Sequence, residues 1–189
     1  VNDVLDLSNF ESGTYQLKPV DVDIHQLCHT TLESMRGREL PGVQLVLKTD
    51  PEGPFILHTD AQRLQQVLIN YMSNACKYTE QGSITLSYEV TDELVRFAVT
   101  DTGRGVKAED AEKVFQRFQM LDKSKRGTGL GLHICRIVAS LLHSKAYVDT
   151  SYTSGARFVF DHPLKLMLSL LIAMCSFWPA TAQKISKTM

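Results

Sequence analysis

Apolar residues recur along the chain with two different periods, and each period predicts a different kind of element. They follow helical spacing between Ile24 and Met35 and again between Leu64 and Ala75. An aspartate directly before such a run is a preferred N-cap, because its side chain accepts hydrogen bonds from the first helical N–H groups. We therefore predict one helix capped by Asp21 or Asp23 and a second, longer helix opened by Asp60.

Alternation of apolar and polar residues marks the strands. Residues 84–90 and 94–100 alternate on both sides of a short polar turn, which predicts a hairpin with one buried face. Further strands are predicted at 43–48, 55–58, 146–149 and 156–160. The chain thus mixes helices and strands within one domain.

Three other segments complete the predicted order of elements. Residues 1–13 have the spacing of a helix end that stops at Gly13, and we expect an upstream region because so short a helix needs a partner for its apolar stripe. Residues 108–118 are predicted as a short helix and 130–142 as a longer one. A polar, basic loop lies between them.

Composition excludes several classes of protein. The chain has 189 residues, of which 43% are hydrophobic and 22% charged, as expected for one globular domain with extra segments. The formal net charge of −1 provides no general attraction to nucleic acid or anionic membranes, so any phosphate binding must be local. Its four cysteines form no Cys-x-x-Cys pair and are expected as buried thiols in a reducing compartment.

One face of the Asp60 helix carries unusual chemistry. Asn70, Asn74, Lys77 and Tyr78 are three or four residues apart and therefore share that face. A carboxamide oxygen can ligate Mg²⁺, a lysine attracts phosphates, and a tyrosine offers a flat surface to a base. On the helix alone, an ordinary solvated face is the better explanation.

Two glycine-containing turns change that balance. Asp101 ends a predicted strand and is followed by Thr-Gly-Arg-Gly, so its carboxylate can accept a hydrogen bond from an amino group while the glycines allow a flat ligand close to the backbone. Residues 127–132 form a glycine-rich turn that opens a helix, as in a phosphate cradle. A plain turn at Asp101, and small residues needed for packing at 127–132, are the alternatives.

In this order, the motifs resemble the ATP-binding catalytic domain of a sensor histidine kinase, in the superfamily of gyrase, heat-shock chaperone and mismatch-repair ATPases. The similarity covers about residues 1–163, and its motifs are the N box at 60–82, the G1 box at 101–105, the F box at Phe115 and Phe118, and the G2 box at 127–132. It implies an α/β fold of the Bergerat type: a two-layer sandwich whose mixed, mainly antiparallel sheet is covered by helices on one face.

The same resemblance implies roles for individual residues. Asn74 would ligate Mg²⁺, with Asn70 and Lys77 as the other catalytic residues at the phosphates. Tyr78 would flank the adenine of ATP, and Asp101 would accept a hydrogen bond from its amino group. The remaining nucleotide-binding residues would be Gly103, Gly105, Phe118, Arg126, Gly127, Thr128, Gly129, Leu130, Gly131 and Leu132. Residues 119–126 would form a mobile ATP lid.

Asn70 favours phosphotransfer over hydrolysis. ATP-hydrolysing members of the superfamily have a glutamate four residues before the metal-binding asparagine, where it acts as a general base for water. Asparagine has no titratable group to take that proton. An enzyme that transfers the γ-phosphoryl group to a histidine gains by leaving water inactive.

The resemblance also implies partners outside this chain. No histidine here has the phosphoacceptor context of the family, so residues 1–13 would be the end of a dimerisation and phosphoacceptor helix hairpin and 14–163 the catalytic domain. We expect an upstream acceptor domain, a homodimer formed through that hairpin and a response-regulator receiver domain, and no nucleic acid. The domain is expected in the cytoplasm, with a membrane-bound parent left open.

Three departures from the family pattern leave a second function open. Met120 replaces a basic residue that commonly reaches the γ-phosphate, and Ser144 replaces a glycine after the last helix, where we expect strain in the following strand. Residues 164–189 form an apolar tail foreign to the family. The alternative to a kinase is therefore a module that binds nucleotide without transferring phosphate.

Overall fold

The computed structural model describes residues 3–13, 15–120 and 127–164. The α-helices are α1 (Asp3–Glu11), α2 (Ile24–Met35), α3 (Ala61–Tyr78) and α4 (Gly131–Leu141). The strands are β1 (Val20–Asp23), β2 (Val43–Asp50), β3 (Ile56–Thr59), β4 (Gly82–Val90), β5 (Leu94–Asp101), β6 (Lys145–Val148) and β7 (Arg157–Pro163). Among these residues, no helix is long and apolar enough to cross a bilayer.

Five strands form the main sheet, in the order β2-β4-β5-β7-β6. Strand β2 runs parallel to β4, and the other three pairings are antiparallel. A parallel pair needs a long crossover connection, and here the chain crosses through β3 and α3 before it returns as β4. The prediction of a mixed, mainly antiparallel sheet is confirmed.

The helices cover one face of this sheet. Ile84, Leu86 and Tyr88 alternate along β4 and are buried, whereas their neighbours Ser83 and Thr85 are partly exposed. Helices α2, α3 and α4 all pack against the sheet and share one apolar cluster with it. The period of two in the sequence therefore selects the face that is covered, as the two-layer prediction requires.

Helix α3 begins where the sequence predicts, and its cap does more than start the helix. Asp60 is 2% exposed, and its carboxylate accepts a hydrogen bond from the Arg63 N–H at 3.1 Å. The same carboxylate accepts hydrogen bonds from the Tyr15 hydroxyl at 2.9 Å and the Lys18 N–H at 3.0 Å. One side chain thus starts the helix and holds the segment that precedes β1.

Helix α1 contacts the first turn of α3 through Arg63. The Arg63 guanidinium forms an ion pair with Asp6 at 3.2 Å and lies 4.9 Å and 4.2 Å from the ring centroids of Phe10 and Tyr15. Leu7 of α1 is 2% exposed and belongs to the core cluster. Helix α1 therefore packs on the domain through charge, aromatic and apolar contacts.

The predicted helix at 108–118 is wrong. The structure has two short 3-10 turns there, at Ala108–Asp110 and Lys113–Phe115. Val114 and Phe115 are its buried apolar residues, and they are adjacent in sequence, so an α-helix would have no continuous apolar stripe to bury. Without such a stripe, so short a helix is marginal.

The left-handed backbone after α4 lies in the turn itself, at His143, instead of in the following strand where strain was expected. His143 has the left-handed backbone conformation, with φ of 52°, while Ser144 has no such φ. The Ser144 N–H bonds the Ala139 carbonyl at 2.7 Å, which closes the helix in the manner of a Schellman motif. Histidine tolerates this conformation better than most residues, so the turn forms without glycine.

Strand β3, predicted at 55–58, pairs outside the main sheet. The two strands that flank the Pro51–Pro54 turn do not pair with each other, since β3 pairs with β1 in a separate two-stranded sheet. The predicted tail at 164–189 lies outside the described residues except for Leu164, which packs against the core.

A buried histidine joins this small sheet to the large one. His162 of β7 is fully buried, and its Nδ1 lies 2.7 Å from the Pro163 carbonyl oxygen. A carbonyl can only accept, so Nδ1 carries the proton and Nε2 accepts from the Thr59 hydroxyl at 2.9 Å. Burial lowers the pKa of His162 because the charged ring loses its hydration.

We predict that Asp60→Ala lowers the free energy of unfolding by about 2 to 3 kcal/mol, because it removes an N-cap and leaves two further donors without an acceptor. Urea denaturation of the purified chain measures this loss. Asp23→Ala is the matched control, since Asp23 caps α2 on a more exposed site and makes only one further hydrogen bond among the described residues, a longer one of 3.4 Å from the Phe55 N–H. Equal losses in the two variants would contradict the proposed dual role of Asp60.

We also predict that His162 makes the protein less stable in mild acid. Its folded pKa lies below its ordinary value of 6.5, so the unfolded chain binds the proton first and stability falls as the pH drops below 6.5. The loss is at most about 1.4 kcal/mol per pH unit for one proton. Denaturation of His162→Gln, which cannot titrate, should show a flatter pH profile than the parent, and an unchanged slope would contradict the assignment.

Candidate functional site

A cavity of about 340 Å³ opens between α3, the end of β5 and the turn before α4. Most of the residues singled out in the sequence line it: Asn70, Asn74, Lys77, Tyr78, Asp101, Gly105, Gly127, Thr128, Gly129, Gly131 and Leu132. They come from three distant segments of the chain. The fold therefore brings the three sequence motifs to one place.

The polar face of α3 forms one wall. Asn70, Asn74, Lys77 and Tyr78 are each partly buried at the cavity, so this face is not an ordinary solvated surface. The opposite face of the helix is fully buried, for example at Leu64 and Leu68. A helix that is apolar on one side packs on the sheet and turns its other side toward the cavity.

Asn70 is held by the neighbouring helix. Its Nδ2 donates to the Gly131 carbonyl oxygen at 3.0 Å and lies 3.7 Å from the Cys135 sulfur. The Cys135 thiol in turn donates to the Val67 carbonyl oxygen at 3.9 Å. These contacts fix the carboxamide between α3 and α4, where no side-chain group of Asn70 can accept a proton from water.

Asp101 lines the cavity and is 3% exposed. Its Oδ1 accepts hydrogen bonds from the Gly103 N–H at 2.9 Å and the Ala156 N–H at 3.2 Å. Desolvation raises the pKa of this carboxyl, and the two backbone donors partly oppose the rise. Because both bonds end on Oδ1, Oδ2 is the oxygen left to accept a hydrogen bond from a ligand.

Gly105 allows the turn after Asp101 to close against the loop before β7. Its φ is +74°, and a Cβ at this position would lie 2.8 Å from the Gly155 carbonyl oxygen. A larger residue would therefore be strained and would push the two segments apart. This close approach holds Asp101 and the Ala156 N–H together.

The glycine-rich turn forms another wall of the cavity. Gly129 has a φ of +68°, and a Cβ there would lie 2.8 Å from the Phe118 carbonyl carbon. Thr128 accepts the Leu130 N–H at 3.3 Å, and Leu130 at the N-cap of α4 has an apolar side chain that cannot accept from the first turn. The start of α4 at Gly131 and Leu132 therefore presents backbone N–H groups and the positive end of the helix dipole to the cavity.

Cationic side chains stand near the mouth. The Lys77 ammonium lies close to Gly127, where a Cβ would be 3.2 Å from Nζ, and 5.0 Å from the centre of the Tyr78 ring. The Arg104 guanidinium lies 4.5 Å from the centre of the same ring. Two cationic groups thus lie around the Tyr78 ring, Lys77 near the glycine-rich turn and Arg104 on the 101–105 turn.

Four predicted site residues are not among the described residues that line the cavity. Gly103 contributes its N–H to Asp101 instead. Leu130 is 1% exposed and packs in the core, whereas Phe118 is 63% exposed with a left-handed backbone, φ 60°. Arg126 lies outside the described residues, as do 121–125 of the predicted lid.

Sequence reasoning missed part of the wall. The missed residues are Ser73, Arg104, Val106, Val114, Ala156 and Phe158, while Gln119 and Met120, at the start of the predicted lid, also line the cavity. Helical spacing from Asn70 and Lys77 could have identified Ser73. Ala156 and Phe158 come from β7 and the residue before it, and no motif in the sequence links that segment to the others.

Comparison with known proteins agrees with this geometry. Residues 59–166 match the family model described as "Histidine kinase-, DNA gyrase B-, and HSP90-like ATPase". This span covers more than half of the chain and includes every residue of the cavity wall named above.

Individual relatives are histidine kinases and two-component proteins. The chain is 37% identical over 172 residues to two-component system protein A of Emericella nidulans, covering 85% of this chain and 25% of that protein. It is 30% identical over 173 residues to hybrid signal transduction histidine kinase B of Dictyostelium discoideum, covering 86% of this chain and 9% of that protein. The chain thus spans a quarter or less of these relatives.

A solved structure supports the fold. The crystal structure of full-length ShkA in complex with AMPPNP superposes with a TM-score of 0.78 at 32% identity, covering 86% of this chain and 34% of that chain. The chain therefore belongs to the histidine kinase-, DNA gyrase B- and HSP90-like ATPase family, within which it has the sequence and fold of the ATP-binding catalytic domain of a sensor histidine kinase.

Proposed function

We propose that the cavity binds Mg²⁺-ATP and that the domain donates the γ-phosphoryl group to a histidine on an upstream dimerisation domain, for relay to a response-regulator aspartate. The observation that carries the proposal is Asp101, a buried carboxylate whose Oδ2 is left to accept a hydrogen bond inside a cavity with apolar walls. That combination is typical of a site for the amino group of a flat heterocycle.

The inner half of the cavity suits an adenine. Val106, Val114 and Phe158 supply apolar contact around Asp101, and Tyr78 supplies an aromatic surface. An adenine presents an exocyclic amino group that donates to a carboxylate, whereas guanine presents a carbonyl oxygen at the corresponding ring position. Two acceptors facing each other repel, so the site favours ATP over GTP.

The outer half suits the phosphates. Lys77 stands beside Gly127, and the N-terminus of α4 offers backbone N–H groups at Gly131 and Leu132. Asn74 fits the magnesium ion, because its carboxamide oxygen is a hard neutral ligand and its side chain lines the same cavity as Lys77. When bound, Mg²⁺ would neutralise phosphate charge.

Asn70 supports transfer instead of hydrolysis. In transfer, the bond from the γ-phosphorus to the bridging oxygen of ADP breaks and a phosphorus–nitrogen bond to the histidine forms. Water would need a base to become a comparable nucleophile, and Asn70 is held by Gly131 and Cys135 without any group that can take its proton. The site therefore positions ATP while leaving water inactive.

The acceptor domain is expected to adjoin α1. Val4 and Leu5 are 67% and 57% exposed on that helix, and an exposed apolar stripe on a short helix is typical of one that packs against a partner helix. We infer that residues 1–13 end a helix hairpin that carries the phosphoacceptor and dimerises, and that 14–163 form the catalytic domain.

Met120 favours a second candidate, a domain that binds nucleotide without transferring phosphate. It lines the cavity beside Gly127, at the place where the family commonly has a basic residue for the γ-phosphate. Labelled ATP mixed with the purified chain and its cognate phosphoacceptor hairpin separates the two functions. Label on the hairpin histidine supports the kinase, and ATP binding without label supports the second candidate.

We predict that Asp101→Asn weakens ATP binding at least about tenfold, because the amide N–H group would face the donor amino group of the base and leave both unsatisfied. Calorimetric titration with ATP, and with GTP for comparison, measures the change. An affinity equal to that of the parent would contradict the placement of the adenine at Asp101.

The same variant should be as stable as the parent or more stable at neutral pH. Burial raises the pKa of Asp101 in the folded protein above its ordinary value of 3.8. Above that raised pKa the ionised carboxylate therefore destabilises the folded state. This destabilisation disappears as the pH falls below 3.8, because the carboxyl is then protonated in both states. The asparagine side chain would still accept the two backbone hydrogen bonds through its amide oxygen. Thermal unfolding at neutral pH tests this sign.

Asp149→Asn is the matched control, with the opposite sign. Hydrogen bonds from Ser151 lower the pKa of Asp149, so removal of its charge should reduce stability at neutral pH. Asp149 lies outside the cavity wall, and ATP affinity should not change. Equal losses of ATP affinity in the two variants would contradict a ligand-binding role for Asp101.

We predict that Asn74→Ala abolishes the part of ATP affinity that depends on Mg²⁺, a loss of about tenfold or more, because it removes the proposed metal ligand. Titrations of the parent and the variant with Mg²⁺ and with a chelator measure that part separately. Gln62→Ala removes a carboxamide from an exposed position on α3 outside the cavity wall and should retain the Mg²⁺ effect. Full Mg²⁺ dependence in Asn74→Ala would contradict the assignment.

A further inference from the structure

Arg104 belongs to the cavity wall and has no role in the function proposed above. It lies between the two glycines of the 101–105 turn, and its side chain is exposed. Its guanidinium carbon is 4.5 Å from the centre of the Tyr78 ring, within the distance of a cation–π contact. Two residues from different segments of the wall therefore touch each other at the rim.

The backbone brings this pair together. Gly103 lies directly against the Tyr78 carbonyl group, with no space for a Cβ, and its N–H is fixed by Asp101 Oδ1 at 2.9 Å. The next residue along the turn is Arg104, so its side chain starts beside the last residue of α3. The anchored turn therefore places the backbone of Arg104 beside Tyr78, within reach of its ring.

Tyr78 needs such a contact if it is to form a wall. It is the last residue of α3 and is only partly buried, so packing constrains its ring less than it constrains a core side chain. The Lys77 ammonium is 5.0 Å from the ring centre and approaches from the phosphate side of the cavity, near Gly127. Arg104 approaches from the Asp101 side.

We propose that Arg104 is a positioning residue that holds the Tyr78 ring in place as the outer wall of the base subsite. This inference rests on the proposed function, because it concerns the same nucleotide site. A fixed ring meets the base without losing rotamer freedom on binding, so the contact should add affinity for the base itself. The alternative, that Arg104 acts on the phosphates, is favoured less because Arg104 adjoins Asp101, whereas Lys77 and Gly127 define the phosphate side.

The test compares ligands with and without phosphates. Arg104→Met keeps much of the length of the side chain and removes its charge, and Lys107→Met is the control on an exposed lysine of the same loop that does not line the cavity. Titration of the whole chain with adenosine, ADP and ATP, followed by NMR spectroscopy, measures weak and tight binding in the same way. Each variant is first checked for the melting temperature of the parent.

We expect Arg104→Met to weaken adenosine, ADP and ATP by the same factor, about two- to fivefold, the size of a cation–π contact at an exposed site. In a Tyr78→Leu background, the same substitution should have no further effect, because the residue that it positions is gone. Lys107→Met should bind all three ligands like the parent.

Three results would overturn the proposal. Unchanged affinities in Arg104→Met would show that the contact does not matter, and a loss confined to ADP and ATP would show that Arg104 acts on phosphates. A full loss from Arg104→Met in the Tyr78→Leu background would show that it acts independently of the ring. If the parent chain binds none of the three ligands, the proposed function itself is wrong. That result differs from the three above, in which the parent binds and only the role of Arg104 is wrong.

Discussion

Helix α3 must satisfy two environments at once, and the rest of the structure depends on that constraint. One side of the helix is fully buried against the sheet, while the other carries Asn70, Asn74 and Lys77 to the cavity. A rotation of the helix about its axis would bury these polar groups and expose apolar ones. Burial of unpaired polar groups is costly, so the hydrophobic face fixes the direction of the polar face.

The start of α3 fixes its position along the axis. Asp60 caps the helix and also binds Tyr15 and Lys18, while Arg63 one turn later binds Asp6 of α1. The connection between α1 and the domain therefore ends on the helix that carries the proposed metal and phosphate ligands. The contact between α1 and α3 thus includes an ion pair between buried Arg63 and partly buried Asp6.

The cavity has a charged acceptor at Asp101 and backbone donors at the start of α4. Asp101 is held by two backbone N–H groups at the end of a strand, and desolvation of its charge raises its pKa. Across the cavity, the start of α4 offers backbone donors instead of charged side chains. The polar groups of such a site are already positioned by the fold, which reduces the side-chain ordering needed when a ligand binds.

Much of this protein could be predicted from local patterns in the sequence. The capping aspartates, the β4–β5 hairpin and the polar face of α3 depend on residues within a few positions of each other, so their periods and caps are visible without a fold. The chemistry of Asn70, Asp101 and the glycine-rich turn is equally local. The segment at 108–118 was wrongly predicted because its two buried residues are adjacent and contact the core through tertiary packing.

Long-range contacts decided the rest. The sequence alone determined which residue types could bind a nucleotide, since side-chain chemistry and spacing on a helix are local properties. The tertiary structure alone decided that Ala156 and Phe158 reach the same cavity, that β3 pairs with β1, and that Arg104 meets Tyr78. These contacts join segments far apart in the chain, and their geometry follows from sheet order and close packing, which no local period encodes.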